Sequence, residues 1–146
     1  MLVLARRVVD EVIRHAREEH PLEACGIIAG KIQPVRVVRM ENDEESDTRF
    51  TFNGPEQLRV WKDVEIRGER IHVVYHSHTG RDAYPSDMDR RYLWMAGMEV
   101  IHLIAGTNDP LTTEFRAYRF LPDMDTQGRC TVEEVELRID QEALAA

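Results

Sequence analysis

The chain has 146 residues, of which 42% are hydrophobic and 32% charged, and its formal net charge is −8. This length and composition predict one globular domain over residues 1–146 that buries its own core. The chain has no basic stripe and no apolar run near the roughly 18 residues of a membrane span, which argues against a nucleic-acid or membrane partner.

The first part of the chain predicts a helix, a pair of strands and a second helix. Apolar residues recur at helical spacing over residues 5–19, and Pro21 ends that helix because the residue before a proline avoids helical angles. The run 24–30 is apolar and predicts a buried strand, with which residues 34–40 pair as a hairpin. The acidic stretch 41–49 predicts a loop. Pro55 suits the start of a helix that ends near residue 67.

The second part predicts further strands and a third helix. A β-rich run predicts a strand over 70–76, followed by a loop and a helix over 86–95. Ser86 is expected to cap that helix, because its hydroxyl can accept from a first-turn N–H group. Three more runs predict strands over 99–105, 115–121 and 130–139. We therefore expect a single α/β domain with a mixed sheet and about three helices.

The most informative feature is the spacing His-x-His-x7-Ser-x2-Asp, which His76, His78, Ser86 and Asp89 complete. In a chain of this composition the pattern arises by chance on the order of 4 times in 10,000. Histidines two residues apart on a strand face the same side, because side chains alternate. Two imidazoles and one carboxylate are the ligands of a catalytic zinc whose fourth position stays open for water. The pattern predicts a metallohydrolase with one Zn²⁺ per chain, bound by His76, His78 and Asp89.

Two further residues are candidates for the reaction itself. A carboxylate must take a proton from the water and pass it to the leaving amine, and Glu23, at the mouth of the first strand, is the candidate base. The alternative for Glu23 is a solvated surface residue. Ser86 could donate a hydrogen bond to the developing oxyanion or act only as a helix cap, and the sequence supports both roles equally.

The remaining histidines and cysteines have simpler interpretations. The two cysteines, Cys25 and Cys130, form no CxxC pair, and reduced thiols in a cytoplasmic protein fit them. A thiol nucleophile at Cys25 is an alternative, but its apolar strand favours a core role because buried thiols resist ionisation. No nucleotide-binding loop is present, so no organic cofactor is expected. Four histidines outside the motif are interpreted as core or surface residues: His15, His20, His72 and His102.

These residues resemble the JAMM (MPN+) metalloprotease family, which is marked by an upstream Glu and by His-x-His-x7-Ser-x2-Asp. The resemblance spans nearly the whole chain. It implies a cytidine-deaminase-like α/β fold with a mixed, curved β-sheet, one zinc, Glu23 as the base, and hydrolysis of amide bonds at the C-terminus of ubiquitin-like proteins. Many members have proline after the second histidine, whereas this chain has Thr79. With Ala83-Tyr84-Pro85-Ser86, this resembles a compact bacterial branch that acts on ubiquitin-like sulfur carriers.

The resemblance implies a cytoplasmic peptidase that cleaves after the C-terminal glycine of a sulfur carrier and releases cysteine, a step of cysteine biosynthesis. Two alternatives are a broader isopeptidase that frees lysine side chains and a metal-free MPN scaffold, which the intact ligand set disfavours. We expect the carrier tail to bind as an added strand, with residues 70–76 and 79–85 as walls. Thr79 and Tyr84 are candidate substrate contacts, although simple packing is an alternative for Tyr84. The sequence does not indicate an oligomeric state.

Overall fold

The computed structural model describes residues 1–141, which form eight strands, three α-helices and a short 3-10 helix. No helix in this range is long and apolar enough to cross a membrane. In chain order the elements are β1 (Leu2–Ala5), α1 (Arg6–Glu19), β2 (Cys25–Gly30), β3 (Arg36–Met40), α2 (Gly54–Ile66), β4 (Arg70–His78), α3 (Asp87–Tyr92), the 3-10 helix (Leu93–Ala96), β5 (Ile101–Gly106), β6 (Glu114–Met124), β7 (Cys130–Val135) and β8 (Leu137–Asp140).

Six strands form one mixed sheet in the order β3-β2-β4-β5-β6-β7. The β4–β5 pair is parallel, and the other neighbours in this sheet are antiparallel. The remaining strands, β1 and β8, pair in parallel as a separate two-stranded sheet. The predicted mixed α/β fold with about three helices is confirmed.

Helix α1 covers one face of the large sheet with a stripe of small and branched apolar residues. This stripe joins residues of β1 and of the strands β4 and β5 in one buried cluster. On the same face the Tyr75 ring lies directly over Gly26, where a Cβ atom would collide with the ring, so only glycine fits there. The buried residues of the helix are Val8, Val9, Val12, His15 and Ala16.

Helix α2 covers part of the opposite face. Asn53 caps its start by accepting from the Glu56 N–H at 2.9 Å. Val64 of this helix packs into a second cluster with Ile27 of β2 and Val74 of β4. Because side chains alternate along a strand, β4 sends Tyr75 to the α1 face and Val74 to the α2 face.

The structure differs from the predicted elements at three places. Strand β1 was not predicted, because only its pairing with β8, far along the chain, makes four residues a strand. The predicted helix 86–95 is a short α-helix followed by a 3-10 turn. The predicted strand 130–139 is interrupted at Glu136, where the chain leaves the large sheet and β8 turns to β1.

Residues 70–76, expected as one wall of the substrate groove, cannot themselves pair with an added strand, while binding of the tail as an added strand elsewhere stays a prediction. That segment belongs to β4, which is hydrogen-bonded to β2 along one edge and to β5 along the other. An added strand needs an edge with unpaired N–H and C=O groups. Within residues 1–141, the edge strands of the six-stranded sheet are β3 and β7.

Candidate metal centre and active site

The motif residues meet at one end of β4, where neighbouring segments converge. β2 runs antiparallel to β4, with Cys25 opposite His76, so Glu23 precedes β2 at this same end of the sheet. After β4 the chain passes through the loop 79–86 into α3, which returns Asp89 to the two histidines. The sheet topology thus brings together residues that are far apart in the sequence.

The ligand atoms of His76, His78 and Asp89 form a nearly equilateral triangle. The two Nε2 atoms lie 3.1 Å apart, and Asp89 Oδ2 lies 3.1 Å from Nε2 of His76 and 3.2 Å from Nε2 of His78. Donor atoms bound to one tetrahedral zinc at its usual bond lengths are about 3.3 Å apart. All three residues are buried. Both the chemistry of the donor set and its spacing fit a metal ion with three protein ligands.

Neighbouring groups fix the orientation of both imidazoles. Nδ1 of His78 donates to the Asp82 carbonyl at 2.8 Å, because a carbonyl can only accept, and this leaves the Nε2 lone pair free. The Phe50 ring stacks on the His76 ring, with 4.6 Å between centroids and 27° between planes. Nδ1 of His76 is buried and has no hydrogen-bond partner within residues 1–141. The two Nε2 atoms consequently face the same point as Asp89.

Ser86 and Asp89 form a capping box at the start of α3, which confirms the predicted N-cap. The Ser86 hydroxyl accepts from the Asp89 N–H at 3.0 Å, and Asp89 Oδ2 accepts from the Ser86 N–H at 2.9 Å. The cap therefore aims the carboxylate at the imidazoles. Because the Ser86 hydroxyl is the acceptor in this bond, its own hydrogen remains available for a substrate oxygen.

Glu23 is buried, with 1% of its surface exposed, so the interpretation as a solvated surface residue is wrong. Its backbone N–H donates to the Ser46 carbonyl at 2.8 Å. Burial raises the pKa of Glu23 to about 7, against the opposing influence of the His76 charge. A carboxyl group with a pKa near neutrality is suited to accept a proton and return it.

Arg81 reaches from the loop 79–86 to the Glu23 carboxylate. Its Nη2 atom donates to Glu23 Oε2 at 3.1 Å and to the Thr48 carbonyl at 3.0 Å. The Arg81 side chain is 34% exposed, whereas the Glu23 side chain is fully buried. Two buried polar atoms of this pair, Arg81 Nε and Glu23 Oε1, have no hydrogen-bond partner in the described part of the chain.

The two predicted substrate contacts occupy different environments. Thr79 is buried, and its hydroxyl donates to the Asp47 carbonyl at 3.2 Å. Tyr84 is 49% exposed and packs edge-on against Tyr118 at 5.9 Å. The loop between them is anchored where the Tyr118 hydroxyl donates to the Ala83 carbonyl at 2.9 Å. A substrate role for Thr79 and Tyr84 stays a prediction.

The other histidines lie outside the metal group, and Cys25 lies in the core. His15 Nδ1 is 2.6 Å from the Tyr75 hydroxyl, and His72 Nε2 donates to a backbone carbonyl at 3.0 Å. Burial lowers the pKa of His102 to about 3. Cys25 is fully buried, and burial raises the pKa of its thiol, which favours the core role over a thiol nucleophile.

The segment 46–50 and Arg81 are parts of the site that were not predicted from the sequence. The acidic stretch predicted only a loop, yet Phe50 covers His76 and the backbone of this segment holds Glu23 and Arg81. These contacts follow no fixed spacing relative to the motif. One signal was available, since Phe50 is a large apolar residue at the end of a polar run.

Two cavities lie near the site, and only the smaller one borders a residue of the metal group. The larger, about 860 Å³, lies between α2 and the 3-10 helix and includes Trp61 and His102 in its lining. The smaller, about 260 Å³, reaches Asp89. Both cavities are lined in part by the same residues, Phe50, Thr51, Tyr92 and Leu93.

Comparison with known proteins finds relatives over most of the chain. The family model described as prokaryotic homologs of the JAB domain matches residues 5–121. A CysO-cysteine peptidase of Mycobacterium tuberculosis is 36% identical over 137 residues, which cover 92% of each chain. A probable TtuB-protein conjugate cleaving protease of Thermus thermophilus is 29% identical over 109 residues, or 74% of this chain and 72% of that protein.

Solved structures share the fold. The solution structure of a protein from Desulfitobacterium hafniense has a TM-score of 0.82 and 26% identity, over 97% of this chain and 94% of that one. The crystal structure of a JAB1/MPN domain protein from Archaeoglobus fulgidus has a TM-score of 0.59 over 96% and 97% of the two chains. At 18% identity, the second comparison shows the fold alone.

Proposed function

Because this chain belongs to the family of prokaryotic homologs of the JAB domain, we propose that it is a zinc-dependent peptidase acting on a ubiquitin-like sulfur-carrier protein. It hydrolyses the amide bond after the carrier's C-terminal glycine and releases cysteine. The observation that carries this proposal is the buried triangle of His76, His78 and Asp89 with Glu23 beside it. The name of the Mycobacterium tuberculosis relative supports the choice of a carrier–cysteine conjugate.

The proposed metal is zinc, bound through Nε2 of His76, Nε2 of His78 and Oδ2 of Asp89. When bound by three such ligands, zinc lowers the pKa of a water molecule to around 7 and polarises a carbonyl group. The chain supplies the geometry for this. The Asp82 carbonyl fixes one imidazole, the Phe50 ring packs on the other, and the capping box directs the carboxylate.

Glu23 is the proposed general base and then general acid. Its carboxylate accepts the proton of the attacking water and delivers that proton to the leaving amine of cysteine. The burial that raises the pKa of Glu23 to about 7 keeps both forms of the carboxyl accessible near neutral pH. Ser86 donates its free hydroxyl hydrogen to the oxygen of the scissile carbonyl as negative charge develops there.

The test is mass spectrometry of a purified CysO–cysteine conjugate incubated with the zinc-loaded enzyme. The expected result is loss of one cysteine residue from the conjugate, with the carrier left intact. Enzyme treated with a chelator and the Glu23→Gln variant serve as controls. If this conjugate stays intact while lysine-linked conjugates are cleaved, the isopeptidase alternative replaces this proposal. The name of the Thermus thermophilus relative, a probable TtuB-protein conjugate cleaving protease, is the observation that favours this alternative.

A further inference from the structure

We infer that Arg81 is a specificity-determining residue that binds the free α-carboxylate of the amino acid being released. The inference rests on the proposed function, because it concerns the leaving group of that reaction. It assigns to this site a preference for substrates in which a single amino acid with a free C-terminus follows the scissile bond.

The first observation is where Arg81 lies. Its Nη2 atom is 3.1 Å from Glu23 Oε2, and its side chain is 34% exposed, whereas the Glu23 side chain is fully buried. The guanidinium therefore contacts the proposed base and stays accessible to an anion that arrives with the substrate.

The second observation is that some N–H donors of the Arg81 guanidinium have no acceptor among the described residues. Both of its hydrogen bonds in the site leave from one terminal nitrogen, Nη2, which contacts Glu23 and the Thr48 carbonyl. Its Nε is buried and has no acceptor within residues 1–141. A guanidinium carries five N–H donors in a fork that matches a carboxylate, so a substrate carboxylate can be held by two of the unused ones.

The position of the substrate's α-carboxylate follows from the proposed role of Glu23 in protonating the leaving amine. To protonate the leaving amine, Glu23 must lie within hydrogen-bond distance of the nitrogen at the scissile bond. In a carrier–cysteine conjugate, the carbon attached to this nitrogen bears the α-carboxylate, two bonds away. That carboxylate consequently comes close to the guanidinium that already contacts Glu23. In a lysine isopeptide, the same nitrogen is attached to a methylene chain and no anion is nearby.

The experiment compares two forms of one probe, the CysO–cysteine conjugate with a C-terminal carboxylate and the same conjugate with a C-terminal carboxamide. The measured quantity is the ratio of kcat/KM for the acid to kcat/KM for the amide. For the unchanged enzyme we expect a ratio of about 10 to 100, the usual effect of a hydrogen bond to a charged group. For Arg81→Gln we expect a ratio near 1, and for Arg81→Lys an intermediate ratio, because a lysine keeps the charge without the fork.

The ratio separates recognition from every other effect of the substitution. Removing Arg81 also alters Glu23 and the loop, but those changes affect both conjugates alike and cancel in the ratio. A matched control is Arg119→Gln, since Arg119 is also 34% exposed and pairs with Glu133 at 3.8 Å on β6 and β7. This control should keep the ratio of the unchanged enzyme, and all variants should keep zinc and thermal stability.

The outcomes distinguish the two proposals. The role of Arg81 is overturned if the unchanged enzyme cleaves the acid and the amide conjugate equally well. It is also overturned if Arg81→Gln keeps the high ratio of kcat/KM for the acid to kcat/KM for the amide. In both cases the peptidase function stands. If the unchanged enzyme cleaves neither conjugate, the proposed function fails and the inference fails with it.

Discussion

The two faces of strand β4 contain buried polar groups of opposite character. On the α1 face, the Tyr75 hydroxyl and His15 Nδ1 lie 2.6 Å apart and can satisfy each other as donor and acceptor. On the other face, His76, His78 and Asp89 turn acceptor atoms towards one point. A buried polar pair that satisfies itself stabilises the fold, whereas convergent buried acceptor atoms are suited to bind a cation. The contrast separates a structural histidine, His15 of α1, from the two histidines of β4 that are proposed to bind the metal.

The largest expected effect is loss of the metal from the convergent face. A His76→Ala/His78→Ala double variant removes two of the three ligands, so zinc content should fall to background and peptidase activity should disappear. Metal analysis of purified protein measures this. The control is His72→Gln on the same strand, whose side chain bonds only a backbone carbonyl and which should keep its zinc. Stoichiometric zinc in the double variant would show that the ligands lie elsewhere.

The next effect concerns Glu23, which lies beside the ligands without being one. Glu23→Gln keeps the size of the side chain but cannot accept a proton, so we expect kcat to fall by about 100- to 10,000-fold. Zinc content and thermal stability should change little. Steady-state kinetics on the carrier–cysteine conjugate measures the loss, and exposed Glu19→Gln serves as the control. Near-normal turnover in Glu23→Gln would exclude Glu23 as the base.

Variants of Ser86 test whether the residue that caps helix α3 also acts on the substrate. Ser86→Ala removes the hydroxyl, and by comparison with other oxyanion donors we expect kcat to fall about 100-fold. It also removes a cap worth about 1 kcal/mol, whereas glycine at an N-cap costs only a few tenths. Ser86→Gly should therefore lose as much activity as Ser86→Ala with less loss of thermal stability. Activity that follows stability across the two variants would leave Ser86 with the cap role alone.

The hydrogen-bonded pair of His15 and Tyr75 on the α1 face predicts a smaller effect. This effect concerns the stability of the protein and how that stability depends on pH. Burial lowers the pKa of His15 to about 4, with help from the Arg39 charge. The folded state therefore favours neutral His15, so this stabilisation is present above about pH 6.5 and is lost as the pH falls towards about 4. His15→Gln should be less stable at neutral pH, and its deficit in free energy of unfolding should shrink on acidification. A deficit independent of pH would contradict this assignment.

The smallest expected effect is that of Cys25, which is paired with His76 across the β2–β4 ladder but is fully buried. Cys25→Ala removes one buried sulfur and should cost some stability while leaving zinc binding and turnover close to those of the unchanged enzyme. Kinetics and metal analysis on the purified variant provide the measurement. An inactive Cys25→Ala that still folds and holds zinc would restore the thiol mechanism.

The metal group could be predicted because its chemistry imposes a fixed spacing on the sequence. The alternation of a strand places His76 and His78 on one side, and the first turn of a capped helix returns Asp89, so the ligand group follows from local geometry. The contacts of Arg81 and Phe50 were not predictable in this way. Both depend on how the segment 46–50 folds over the site, which is a matter of tertiary packing.

The fold likewise combines elements that the local sequence predicts with an arrangement of strands that it does not predict. The amphipathic period of residues 5–19 matched α1 (Arg6–Glu19), because the spacing of the apolar residues within a helix determines which of its faces is buried. The position of β4 inside the sheet could not be predicted in this way, so the sequence did not indicate that both edges of residues 70–76 are already paired. Strand neighbours are set by long-range pairing, which a run of β-rich residues does not specify.

The pairing of β1 with β8 has a consequence for how the protein is made. Leu2 aligns with Leu137 in a parallel register, so β1 cannot pair until β8, far along the chain, has left the ribosome. Until then the buried side chains Leu2 and Leu4 lack the cover that β8 provides. Such late closure of a long loop slows folding and leaves an apolar segment exposed during synthesis. Nascent-chain experiments should therefore find β1 protease-sensitive until β8 has been synthesised and has emerged from the ribosome.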